Sequence, residues 1–270
     1  MKLLILGAGG YLGGVLHARA LARADVTAVG TTRQQADVLH AAAVTTFLRE
    51  AAPDAVVWCL ADFEKETTLS AEGLANVLQA LPSQTRFVYV STMLAQGANQ
   101  TEDTPPVPRA DGAYLADYVN GKIAGEALVR TRPNHVILRS GQVYGLDAQG
   151  APDKRMQRIA AQCAAGQFLP RAADAFVSTV HVEDLADSIL ELCHNDFKGT
   201  LCVAAPPVSY YHFYRQLAVL TGLPAEIITP QAPSDAPNDY FNTRVCHQIL
   251  QTKLRGISAN EDKKGGCYIE

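Results

Sequence analysis

Residues 2–14 read KLLILGAGGYLGG, an apolar run followed by glycines at positions 7, 9, 10, 13 and 14. A short apolar stretch bounded by glycine reads as a strand, and GVLHARALARA (14–24) carries apolar residues at helical spacing. Gly7, Gly10 and Gly13 form G-x-x-G-x-x-G, and Gly9 also permits the G-x-G reading. Glycines between a strand and a helix allow a tight turn and let the backbone approach a pyrophosphate at the helix N-terminus. The loop therefore predicts a dinucleotide site, with Gly7, Gly10, Tyr11, Leu12 and Gly13 around the phosphates.

Outward from this unit, short apolar runs alternate with amphipathic stretches. DVTAVGT (25–31), DAVVWCLA (54–61), RFVYVST (86–92) and HVILRSG (135–141) read as strands. AVTTFLREAAP (43–53), LSAEGLANVLQAL (69–81) and GAYLADYVNGKIAGEALVRT (112–131) read as helices, the first stopped by Pro53. This order predicts a Rossmann-type α/β fold with a doubly wound parallel sheet. We place the dinucleotide-binding domain at 1–145. Residues 146–270 are expected to add later strands and helices and a small substrate lobe. There DAFVSTVHVEDLADSILELC (174–193) reads as a short strand and a helix favoured by Glu183 and Asp184 at its N-terminus. GTLCVAA (199–205) and EIITP (226–230) are further strands, YYHFYRQLAVLTG (210–222) is a helix, and the proline-rich PQAPSDAPNDYFN (230–242) is expected to be loop.

The 270 residues, 48% hydrophobic and 19% charged, suffice for one large α/β domain or one with a smaller lobe. A net charge of −4 leaves no footprint for nucleic acid. The six cysteines, at 59, 163, 193, 202, 246 and 267, show no C-x-x-C, and the histidines form no H-x-x-x-H, so no metal is expected. The thiols read as reduced, as in a cytoplasmic protein. The first apolar run ends at Gly7, short of the roughly 7–15 residues of a signal-peptide core. Nothing approaches the roughly 18 apolar residues of a membrane span, so the chain is expected to be soluble.

DYVNGK (117–122) places Tyr118 four residues before Lys122. At i and i+4 they share a helix face, roughly 5–6 Å apart at Cβ. An ammonium so placed favours the phenolate and is expected to draw the tyrosine pKa below its usual value of about 10. The second strand ends in Thr31-Thr32-Arg33, where a carboxylate would meet a free ribose 2′-hydroxyl. Hydroxyls and a guanidinium there suit a 2′-phosphate, so NADP(H) is favoured over NAD(H).

Together these pieces resemble the extended short-chain dehydrogenase/reductase family, and within it the dTDP-4-dehydrorhamnose reductase group. The family's signature is Tyr-x-x-x-Lys on a helix with Ser or Thr at the end of the preceding strand, matched here by YVNGK and by Ser91-Thr92 of FVYVST. ADVLHAAAVTTFLREAAPDAVVWCLA (36–61), ILRSGQVYG (137–145) and VSTVHVEDLADSI (177–189) extend the similarity along the chain. The resemblance implies a reductase or dehydrogenase acting on a keto sugar, with a nucleotide-linked sugar as a candidate. Tyr118 would be the general acid, Thr92 (ahead of Ser91) would hydrogen-bond the carbonyl oxygen, and Lys122 would tune Tyr118 and hold the nicotinamide ribose. By position, Asp37 and Val38 would meet the adenine, Leu60 and Ala61 the ribose side, and Ser140 and Gly141 the nicotinamide. An epimerase of the same fold and a non-catalytic dinucleotide-binding regulator remain open, and a homodimer is compatible with the family.

Three departures stand out. Met93 and Leu94 follow Thr92, where relatives place acids, which disfavours dehydration. Pro108 lies ten residues before Tyr118 instead of four, and RADGAYLAD (109–117) reads as an insertion beside the site. Tyr114 is rejected as general acid because no lysine follows at +4. No diphosphate clamp is evident, and Arg139, Arg171 and Arg244 are its candidates.

Overall fold

The structure, a computed structural model, describes residues 1–94 and 97–257. Its main sheet comprises β1 (Lys2–Leu6), β2 (Thr27–Thr31), β3 (Ala55–Trp58), β4 (Arg86–Thr92), β5 (His135–Ser140) and β6 (Gly199–Val203). Every neighbouring pair is parallel, in the order β6-β5-β4-β3-β1-β2. Chain order reverses between β1 and β3, and such a switch point opens a crevice at the carboxyl ends of the strands.

Alternation along each strand sends successive side chains to opposite faces. Leu3 and Ile5 join one core with Val15, Leu16, Leu185 and Ile189, from helices Tyr11–Leu21 and Val182–His194. Leu4 and Leu6 join the other with Val44, Leu48, Leu74, Val77 and Val129, from the helices on the opposite side. Burial on both faces explains why these strands read as continuous apolar runs. Residues beyond 145 take part in this unit, since β6 extends the sheet and Val182–His194 covers it.

A third, smaller core gathers Met156, Ile159, Phe213, Leu217 and Ile228 around helices Lys154–Ala164 and Tyr210–Leu220. It is tied to the sheet by four short strands in the order Val208–Ser209, Phe176–Val177, Asp239–Phe241 and Gly97–Gln100. The proline-rich segment expected as loop thus contributes a strand. Asp239 pairs with Gly97 across a parallel register, a partner far away in sequence.

Two helices also differ from expectation. The one expected at 112–131 spans Ala116–Val129, and Leu115 before it sits at φ 57°. The one expected at 69–81 begins at Glu66 and passes through a π-helical turn, Leu69–Leu74, before Ala75–Ala80. The five described cysteines are free thiols, and Cys267 lies outside the described residues. Among the described residues, no helix is long and apolar enough to cross a membrane.

Candidate active site

The glycine loop lies at the switch point. Gly7 takes φ +95°, and a Cβ there would stand 3.1–3.2 Å from Leu60 and the Cys59 backbone at the end of β3. A Cβ on Gly13 would sit 2.1 Å from the Gly7 carbonyl oxygen, so only glycine lets helix Tyr11–Leu21 close onto the loop. That helix begins at Gly10 with no side-chain cap and no acid in its first turn. Its N-terminal amides and positive dipole end suit an anionic group. Tyr11 Oη donates to the Gly145 carbonyl at 3.0 Å, tying the loop to the end of ILRSGQVYG, and Leu12 packs half-buried against the sheet core.

Around this crevice the expected positions divide. Thr32 and Arg33 follow β2 on the surface. The Arg33 side chain is 80% exposed, with Nε 3.7 Å from Asp37, so its guanidinium is open to a ligand and lightly held. The Val38 side chain is core, and its carbonyl accepts from Asn76 at 3.0 Å, so only its backbone remains for a ligand. Ala61 is exposed, while the Leu60 carbonyl accepts from Lys122 at 3.1 Å. Ser140 ends β5 with Oγ 3.5 Å from the Ser91 carbonyl, and Gly141 leaves room for the Ser178 backbone, which a Cβ would approach to 2.8 Å.

At the end of β4, Thr92 and Ser91 part company. Thr92 is half-buried, and its hydroxyl acts on Tyr118 to draw the phenol's pKa down. The Ser91 Oγ instead donates to Glu126 Oε1 at 2.7 Å in a buried network further along the same helix. Arg139 donates to the same carboxylate from Nε (3.0 Å) and Nη2 (2.8 Å), and Arg130 adds a contact at 2.7 Å. The Ser91 hydroxyl and the Arg139 guanidinium, expected in the catalytic group and the clamp, are thus both engaged by Glu126. Arg171 lies over the Tyr214 ring, 4.4 Å from its centroid.

Tyr118 stacks on Phe63 with ring centroids 4.8 Å apart, and Lys122 Nζ lies 5.8 Å from the Tyr118 centroid. Yet the tyrosine is not lowered as expected. Burial first, and then the negative charge of Glu66, push Tyr118 up to about 12 against the opposing hydrogen bond with Thr92. Lys122, expected to oppose that rise, is itself buried and engaged. Its side chain is 2% exposed, and Nζ donates to the carbonyls of Leu60 (3.1 Å) and Val90 (3.2 Å) while lying 3.1 Å from Glu66 Oε1. Burial draws the ammonium's pKa down and Glu66 opposes that shift. An ammonium paired with a carboxylate stabilises a neighbouring phenolate less than a free one would.

Sequence reasoning missed Glu66, whose only linear signal is an acid at a helix start. It also missed Asn120, which grips the insertion: Arg109 N–H donates to Asn120 Oδ1, and Asn120 Nδ2 donates to the Arg109 carbonyl, each at 2.9 Å. The insertion walls a cleft of about 680 Å³ lined by Met93, Leu94, Val107, Pro108, Arg109 and Tyr114. Tyr114 itself is 81% exposed and has no lysine beside it in sequence.

A parallel doubly wound sheet with a glycine-rich switch-point loop, and a Thr–Tyr–Lys group beyond the strand ends, defines a Rossmann-type oxidoreductase fold of the short-chain dehydrogenase/reductase kind. The chain belongs to the RmlD substrate binding domain family, which matches residues 1–239. It is 27% identical over 261 residues to a dTDP-4-dehydrorhamnose reductase of Mycobacterium tuberculosis, covering 89% of this chain and 84% of that protein. A dTDP-4-dehydrorhamnose reductase of Clostridium acetobutylicum superposes with a TM-score of 0.75 at 23% identity over 92% of both chains. The Bacillus anthracis dTDP-4-dehydrorhamnose reductase in complex with NADP gives 0.75 at 20% identity, covering 95% of each chain. The Bordetella bronchiseptica enzyme WbmH in complex with NAD+ gives 0.73 at 20% identity, over 95% of this chain and 94% of that one.

Proposed function

We propose that this chain is an NADPH-dependent reductase of a nucleotide-linked 4-keto sugar, with dTDP-4-dehydrorhamnose as the first candidate. The observation that carries the reading is the meeting of Thr92 and Tyr118 at the carboxyl end of the sheet, beside an uncapped, glycine-lined helix N-terminus. The loop fits a dinucleotide, because Cβ atoms at Gly7 and Gly13 would fill the cradle and the first-turn amides carry no side-chain cap. Gly7, Gly10 and Gly13 would hold its pyrophosphate, and Thr32 and Arg33 its 2′-phosphate. A reduced nicotinamide held there would supply the hydride for carbonyl reduction.

The chain's own groups handle the proton. Thr92 donates a hydrogen bond to the carbonyl oxygen and orients it. Tyr118, protonated at neutral pH, gives its proton to that oxygen as negative charge develops there. Lys122 braces the carbonyl groups of Leu60 and Val90, which fixes the ends of β3 and β4 on either side of the reacting centre. Met93 and Leu94 carry no carboxylate, so elimination lacks its acid and base. The apolar wall they form suits the deoxygenated edge of a sugar.

The test mixes purified protein, NADPH and dTDP-4-dehydrorhamnose, and follows cofactor oxidation and sugar product. Stoichiometric NADPH consumption with formation of the 4-hydroxy sugar is expected. A change at a sugar carbon with no net cofactor consumption would make the protein an epimerase instead.

A further inference from the structure

Glu66 comes from none of the strands that build the site. It opens the helical segment Glu66–Ala80, yet its side chain is wholly buried. Two anchors hold it there. Asp62 N–H donates to Glu66 Oε2 at 2.7 Å, while Asp62 Oδ1 accepts from the amides of Glu64 and Lys65. Thr67 N–H donates to Asp117 Oδ2 at 3.1 Å, docking this helix start onto the start of helix Ala116–Val129. Gly121 makes the approach feasible, since a Cβ there would lie 2.5 Å from the Glu66 carbonyl carbon.

A reciprocal cap of this kind needs one carboxylate oxygen. The other, Oε1, is buried without an aligned hydrogen bond and lies 3.1 Å from Lys122 Nζ. Capping therefore leaves half of this carboxylate unexplained. We propose that Glu66 is a positioning residue that neutralises Lys122 and keeps Tyr118 protonated, so that the site delivers a proton to a carbonyl oxygen and is a poor acceptor of one from an alcohol. The inference rests on Tyr118 being the proton donor of the reaction proposed above.

The groups around the tyrosine agree. Thr92 and Tyr89 from β4, Phe63 from the preceding loop, Glu66 from the facing helix, and Lys122 and Glu126 from its own helix surround the Tyr118–Lys122 pair, with the Cys59 thiol beside Lys122. Of these, Glu66 is the anion that acts on both members of the pair. With Glu66 neutral, the Lys122 ammonium would act on Tyr118 uncompensated, and the phenolate would gain. In the forward direction the proton leaves Tyr118 Oη for the substrate oxygen, and solvent reprotonates the tyrosinate. In reverse, alcohol oxidation needs the tyrosinate at the outset, the form that Glu66 disfavours.

The experiment is a pH titration of the full chain carrying ¹³C-labelled tyrosine, with the Tyr118 resonance assigned from its absence in Tyr118→Phe. Wild type and Glu66→Gln are compared, and alcohol oxidation and carbonyl reduction are measured over the same pH range. In Glu66→Gln, Tyr118 is expected to ionise about one pH unit or more lower, within the range typical of removing a nearby charge. Oxidation should then start at lower pH, and reduction should fail at lower pH. Glu66→Asp, which retains the charge, should titrate more like wild type. An unshifted Tyr118 in folded Glu66→Gln would overturn the proposal and leave Glu66 a helix cap. Should that variant not fold, Lys122→Met and Lys122→Met/Glu66→Gln are compared: a lower Tyr118 ionisation in the double variant supports the role, and identical titrations overturn it. A shifted titration in a protein inactive on dTDP-4-dehydrorhamnose supports the role of Glu66 and removes only the substrate. Activity with an unshifted titration does the reverse.

Discussion

Ser91 and Thr92, adjacent at the end of β4, meet different residues of helix Ala116–Val129: Ser91 Oγ donates to the buried Glu126 at 2.7 Å, whereas the Thr92 hydroxyl acts on Tyr118, eight residues earlier. The two substitutions should therefore separate. Ser91→Ala removes a hydrogen bond to a buried carboxylate and should cost about 1–3 kcal/mol of stability, with turnover per folded molecule retained. Thr92→Val should leave the melting temperature nearly unchanged and lower kcat. Thermal melts paired with turnover measurements check both, and a Ser91→Ala protein that melts normally but does not turn over would return Ser91 to the catalytic group.

Tyr118→Phe deletes one hydroxyl from a half-buried ring that keeps its stack on Phe63. Folding and dinucleotide binding should survive, while turnover should fall roughly 10²–10⁴-fold, as for loss of a general acid. With Tyr118 pushed up to about 12, the wild-type reduction rate should show no loss from tyrosine ionisation around neutral pH. A falling limb near neutrality that vanishes in Tyr118→Phe would contradict that.

The Arg33 guanidinium is exposed and shares only a loose contact with Asp37 at 3.7 Å. NADPH should bind more tightly than NADH to the wild type, and Arg33→Ala should erase that preference with little effect on NADH. Calorimetric titration of both cofactors decides it, and equal wild-type affinities would dismiss the 2′-phosphate role.

Glu126 receives Ser91, Arg139 and Arg130 while wholly buried. Removing Arg139 as Arg139→Met strands that carboxylate and should cost about 3–5 kcal/mol. Glu126 lies eight residues along the same helix from Tyr118, and chemical denaturation should report the loss even where turnover of the folded fraction persists.

Asp239 is raised from its ordinary value to about 6, by burial first, against opposing hydrogen bonds from Gln100 and the Gly97 amide. Its folded form holds a proton more tightly than the unfolded chain. The stability it contributes is therefore fully present below about pH 4 and is lost as pH rises toward 6. Asp239→Asn, which keeps an acceptor for Gln100, should raise stability at neutral pH by about 1–2 kcal/mol after allowance for its partial exposure, and should not do so at pH 4. Melting curves at the two pH values test the sign.

Local pattern alone determined the parallel sheet, the glycine loop and the Tyr-x-x-x-Lys helix. A strand buried on both faces must be apolar throughout, a position where a Cβ would stand 2.1 Å from a backbone oxygen must be glycine, and an i, i+4 pair shares a helix face wherever that helix docks. Three matters lay beyond that reach. The strand Asp239–Phe241 exists because it pairs with Gly97–Gln100, and the prolines and polar residues leading into it argue for loop. Which of Ser91 and Thr92 faces Tyr118 depends on strand register, a one-residue question settled only by the neighbours of β4. The charge state around Tyr118 depends on Glu66, which lies fifty-two residues from it in sequence and 3.1 Å from Lys122 in space. Spacing along the chain reveals the attraction between Tyr118 and Lys122, but electrostatics sums over every charge nearby, and only the folded chain brings Glu66 into that sum.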